Sequence, residues 1–166
     1  MSRDLILGFD PGMNGAAAVV ELGGDLVEVF DLPTLQLKNK RELDAYRLAS
    51  LIDAMAGDVL EAWIEQAWPR PGEGGPASFK FGAVYGEIRG IIQANFIPLH
   101  TVPPVTWKRT MKVAADKDEA RLAASTLWPQ ENSRWPNKGH HGRAEAALIA
   151  DYGRRQFQRE HGAAAA

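Results

Sequence analysis

The sequence predicts an α/β fold: a mixed five-stranded sheet, an antiparallel meander continued by helix-linked parallel strands, flanked by helices. Two observations predict it. Three short apolar runs follow one another between Asp4 and Leu32, separated only by a Pro-Gly turn and a Gly-Gly-Asp turn, as in a meander. After them, runs of strand length alternate with segments of helical periodicity, the order that builds helix-covered sheets.

The elements follow in order. Asp4 to Asp10 is an apolar run that ends in an acid, and Pro11-Gly12 turns it. Gly15 to Leu22 is the second strand, and Leu26 to Leu32 alternates like a half-buried third. Glu42 to Met55 predicts a helix, with Leu48, Leu51, Ile52 and Met55 at helical spacing and Gly57 as its stop. Val59 to Gln66 is the fourth strand, and Pro69 to Pro76 a Gly/Pro loop. Ser78 to Asn95 is the second helix, with Ser78 as N-cap. Its Gly82, Gly86 and Gly90 recur every four residues and point to close approach of the sheet or of a second subunit. Phe96 to Val102 is the fifth strand. Asp116 to Glu119 has the spacing of a capping box and opens a helix to Trp128. A polar loop from Pro129 to Gly139 leads to a last helix, Gly142 to Phe157. The expected organisation is one domain over residues 1–160 and a short tail, 161–166.

With 166 residues the chain can bury one substantial core. Hydrophobic residues at 45% and charged residues at 24% exclude a disordered chain. Zero cysteines exclude disulfides, thiolate nucleophiles and Cys-ligated zinc. No targeting or membrane segment is read, so a cytoplasmic location is expected, in a bacterium or a phage-infected host. The net charge of −2 conceals a division: residues 1–66 carry 5 Lys and Arg against 12 Asp and Glu, and residues 67–166 carry 14 against 9. A basic region facing a polyanion is one reading, and uneven surface charge is the other.

Three acids stand out. Asp10 ends a strand, where α/β sheets place their sites, although Asp before Pro-Gly also simply forms turns. Glu65 follows Trp63-Ile64 and would be costly to bury unpaired. Glu145 is alone in the apolar stretch Ala144 to Ala150, so it needs a partner or a narrow solvent face; His141 lies one turn earlier. Three acids from separate elements suit a hard divalent cation, and two such ions can clamp an in-line phosphoryl displacement. The second part offers phosphate partners in Lys108, Arg109, Lys112, Lys117 and Arg143. Trp68 and Phe79 are aromatics beside the Gly/Pro loop that could wedge or stack on bases.

These pieces, in this order, resemble the RuvC-type Holliday junction resolvases, most nearly the phage forms, over about residues 5–153. The resemblance rests on Gly8 to Gly12, Ile64 to Gln66, Ser78-Phe79 with Gly82 and Gly86, Val102 to Lys108 with Lys117 to Glu119, and Arg143 to Ala150. It implies an RNase H-like fold, a homodimer, and cleavage of four-way DNA junctions with Mg²⁺ or Mn²⁺, two ions per site. Carried over by position, Asp10, Glu65 and Glu145 would be catalytic metal ligands. Trp68 would intrude at the junction centre, and Lys108 and Lys117 would contact the backbone, with Ser78 and Phe79 beside the DNA. The family places an acid or His three residues before a final Asp. Here that place is Gly142 and the final acid is Glu145, so His141 is expected as the fourth ligand, with His140 and Asp151 as alternatives. Competing readings are a nuclease for RNA–DNA hybrids or flaps and a non-catalytic junction-binding protein. An actin-type ATPase needs two related domains and is excluded by length.

Overall fold

The computed structural model describes residues 3–68, 72, 74–114 and 117–162, with only the backbone of Lys117. Seven strands run β1 (Leu5–Asp10), β2 (Ala16–Glu21), β3 (Leu26–Asp31), β4 (Thr34–Leu37), β5 (Lys40–Leu43), β6 (Val59–Glu65) and β7 (Leu99–Val102). The helices are α1 (Ala45–Asp53), α2 (Gly75–Ala94), α3 (Pro104–Thr110), α4 (Lys117–Leu127) and α5 (His141–Gly162). The main sheet has the order β3-β2-β1-β6-β7; β4 and β5 pair as a separate two-stranded sheet. β1 is antiparallel to β2 and parallel to β6, which is parallel to β7. The mixed five-stranded sheet flanked by helices is the one the sequence predicts.

Alternation along the strands divides the core between the two faces of the sheet. Leu7, Phe9, Ala17, Ala62 and Ile64 pack against α1 and α2 through Leu48, Ile52, Val84, Ile88 and Ile92. Ala16, Ala18, Val20 and Val102 pack on the other face against α4, α5 and Trp107 of α3. Each Leu, Ile, Val or Phe among them, fully buried, contributes about 1.5–3 kcal/mol, and each alanine less. Small residues bring α5 onto the sheet. A Cβ on Gly8 would stand 2.3 Å from both the Ala146 carbonyl oxygen and the Ala150 nitrogen, so only glycine lets strand and helix meet there.

Several sequence expectations need correction. The first helix starts at Ala45, because Glu42 belongs to β5 and Asp44 caps the helix by accepting from the Arg47 N–H at 3.0 Å. α2 starts at Gly75, with Gly74 at the cap and Pro76 in the first turn, where its missing N–H costs nothing. Ser78 is therefore inside the helix and is not its N-cap. The last strand starts at Leu99, because Phe96 takes a left-handed φ of 58°. The 129–139 loop contains two 3-10 turns, Pro129–Arg134 and Lys138–His140. The sheet does not approach Gly82, Gly86 or Gly90: a Cβ on any of them would meet nothing within 4 Å. The Asp116 cap, the Lys117 side chain and part of the 69–76 loop lie outside the described residues.

Candidate active site

Asp10 and Glu65 are adjacent because β1 and β6 are parallel and in register. Phe9 is paired with Ile64, and the two acids follow one residue later at the C-terminal ends of neighbouring strands. Neighbouring strands lie about 4.8 Å apart. Both acids share the α5 side of the sheet with Gly8 and Trp63, two residues earlier on their strands. Beyond Asp10 the chain turns at once, with the Gly15 N–H donating to the Gly12 carbonyl at 3.0 Å. Gly12 has φ of 132°, a conformation that favours glycine.

α5 brings the third acid. Gly142 sits against Asp10, and a Cβ there would come within 2.8 Å of Asp10 Oδ2. The helix start is therefore cut away to leave that oxygen room. Glu145, one turn on, has a side chain only 14% exposed and accepts an ion pair from Lys108 Nζ at 3.1 Å. The expected partner was His141, but the ammonium comes from α3, a contact over 37 positions that periodicity cannot reveal. Lys108 also lies 5.2 Å from the Trp107 ring centroid, within cation–π range. Trp107 is fully buried and donates its indole N–H to Glu65 Oε2 at 2.7 Å. A buried tryptophan needs an acceptor, and that need was the one available signal for this contact. α3 thus holds two of the three acids through consecutive residues.

The donor set, carboxylate oxygens, suits a hard cation. Among the described residues, however, no three His, Asp or Glu side chains converge closely enough to hold one as they stand. Lys108 pairs with Glu145 Oε1, and a carboxylate has a second oxygen with which to meet a cation. His141 begins α5, and its Nδ1 meets the Lys138 carbonyl at 3.0 Å. Its ring lines a groove beside Asn14 and Gly15. The His140 ring shares that groove, and its Nδ1 is buried without a hydrogen-bond partner. Asp151 is 2% exposed and held by Arg154 at 2.6 Å and Arg155 at 2.8 Å. Those two arginines tie the middle of α5 to its own buried carboxylate.

The other sequence candidates divide. Trp68 and Phe79 are 62% and 80% exposed, and Arg109 and Lys112 are exposed. Ser78 is half-buried in the first turns of α2. Arg143 is committed to the scaffold. It forms two 2.7 Å contacts with the Asp31 carboxylate and a 3.0 Å bond to the Arg134 carbonyl. The guanidinium holds Asp31 below the usual carboxylate range, mainly by hydrogen bonding, against the opposing effect of burial.

No protein-family model and no curated protein matches the chain. Solved structures do. Thermus thermophilus RuvC matches with a TM-score of 0.64 at 19% identity, covering 95% of this chain and 96% of that one. T. thermophilus RuvC in complex with a Holliday junction substrate matches with a TM-score of 0.63 at 14% identity, covering 92% and 96%. The fold is RuvC-type. At these identities the likeness concerns the path of the chain. The RuvC-type frame is the RNase H-like one the sequence predicts. No helix among the described residues is long and apolar enough to cross a membrane.

Proposed function

We propose that the chain is a structure-specific endonuclease that cleaves four-way DNA junctions by phosphodiester hydrolysis, as a homodimer. The observation that carries the reading is the adjacency of Asp10 and Glu65 at parallel strand ends, with Glu145 on the helix packed over them. In this reading Asp10, Glu65 and Glu145 hold divalent cations, Mg²⁺ or Mn²⁺. Two such ions supply an activated water and stabilise the leaving oxygen. The chain's own residues do the positioning. Trp107 donates to the Glu65 carboxylate and Lys108 pairs with Glu145, and in this reading the Lys108 ammonium also meets a phosphate oxygen of the bound DNA. Exposed Trp68 and Phe79 offer stacking surfaces, and Arg109 and Lys112 backbone contacts. A junction with two-fold symmetry calls for two protomers, and the open Gly82-Gly86-Gly90 face of α2 leaves room for a second chain.

The test is a substrate panel of four-way junction, flap, duplex and RNA–DNA hybrid, with Mg²⁺ or Mn²⁺. Paired nicks in opposed strands of the junction are expected, and Asp10→Asn should bind without cutting. A hybrid cut faster than the junction would assign the chain to the other nuclease class. Undiminished cutting by Asp10→Asn would remove the site.

A further inference from the structure

The acidic part of the chain has five basic residues, and three of them, Lys38, Lys40 and Arg41, fall within four positions. They occupy the β4–β5 hairpin, which stands apart from the main sheet. A two-stranded hairpin is marginal by itself. This one is fastened at two places: Leu43 at its base is buried in the core, and nearer the turn Arg41 Nη2 donates to the Met13 carbonyl and to Asn14 Oδ1. Met13 and Asn14 belong to the turn that leaves Asp10. The tip, with Lys38 and Lys40, is exposed, and Lys40 is about 10 Å of strand from Leu43.

Arg41 stands between two grooves. One, of about 460 Å³, runs past Asn14, Gly15, His140 and His141. The other, of about 320 Å³, runs between the hairpin and Phe79 and Lys80 of α2. Asp31 lines the first groove but is already paired with Arg143. Among the described residues, the groove beside the hairpin brings Lys40, Arg41 and Lys80 together with Glu42, which pairs with Lys40, and Glu87, while Lys38 is exposed at the tip. The excess is positive, and Arg41 ties it to the turn that leaves Asp10.

We propose that the β4–β5 hairpin is a second phosphate-binding arm, which grips the nucleic-acid backbone next to the scissile phosphate through Lys38 and Lys40. Arg41 docks the arm on the Asp10 turn, so its position is set relative to the reacting group. The proposal rests on the nuclease reading and names a substrate contact for it. Arms that neutralise phosphates show themselves in salt dependence, at about 0.9 in the slope of log K against log salt for each contact.

The test is binding of a fluorescein-labelled four-way junction by the full chain, read by anisotropy across a salt series with Ca²⁺ replacing the catalytic cation. Both lysines are exposed, so Lys38→Ala/Lys40→Ala should melt like the wild type. It should bind about tenfold more weakly near physiological salt, with a slope reduced by about 1–2. Arg159→Ala, exposed near the end of α5, should match the wild type. An unchanged slope in the double variant, with wild-type binding intact, would overturn the arm and leave exposed Leu35 and Leu37 as a protein-contact surface. Absence of wild-type binding to any DNA in the panel would overturn the nuclease reading and the arm with it.

Discussion

Strand β6 carries two glutamates four residues apart on one face, and each meets a tryptophan indole. Glu61 lies mid-strand and is 5% exposed. It accepts from Trp63 Nε1 at 2.6 Å and pairs with His100 Nε2 at 3.2 Å. Trp63 is stacked on His100 at 4.7 Å and meets Tyr152 edge-on at 5.3 Å, so the Glu61 carboxylate is enclosed, although the His100 side chain is 41% exposed. Glu65 also accepts from an indole, that of Trp107, but it lies at the strand end beside Asp10. The residue type and the hydrogen-bond partner are the same. The difference is the place on the strand: an enclosed acid is structural, and an acid at the parallel strand ends can meet a ligand.

That contrast can be broken by substitution. The largest effect is expected from Glu65→Gln, which keeps an acceptor for Trp107 and removes the charge. Junction cleavage should fall by about 100-fold or more with little change in melting temperature, measured on the same sample. Glu61→Ala should do the reverse. Leaving the buried Trp63 N–H without its acceptor, and a void beside it, should cost about 2–4 kcal/mol in urea unfolding, with cleavage per folded molecule retained. Trp107→Phe keeps the packing but removes the indole hydrogen bond to Glu65 Oε2, so cleavage should drop about tenfold with a smaller loss of stability. The smallest effect concerns Asp31, whose side chain is 60% exposed. Its folded pKa lies below the ordinary 3.8 because of Arg143. Its stabilisation is therefore present above about pH 4 and is lost as pH falls through the folded value. Solvent screening limits it to about 1 kcal/mol or less. Asp31→Asn should flatten that part of the acid limb, and a limb of unchanged slope would contradict the pairing.

Much of this molecule was legible in its sequence, for local reasons. Alternation and turn residues located β1, β2, β3 and β6, and the acids at the ends of β1 and β6 were visible as breaks in apolar runs. Glu145 was visible because it stands alone among alanines. What was hidden depends on long-range contact or on weak local signals. The β4–β5 hairpin has four-residue strands, and Lys-Arg-Glu-Leu in β5 reads equally well as the start of a helix. Lys108 rather than His141 as the partner of Glu145 is set by how α3 packs on α5. Arg143 read as a phosphate contact because a side chain's charge is visible in sequence and its partner, Asp31, 112 residues away, is not.

The central claim is that the acids at the ends of β1 and β6 do the cutting while the enclosed acid of β6 holds the fold. The most direct measurement pairs Glu65→Gln with Glu61→Ala on one labelled four-way junction in Mg²⁺, with thermal unfolding recorded on each preparation. The account predicts a stable Glu65→Gln protein that binds and does not cut, and a less stable Glu61→Ala protein that still cuts below its melting temperature. A Glu65→Gln protein that cuts at the wild-type rate would contradict it.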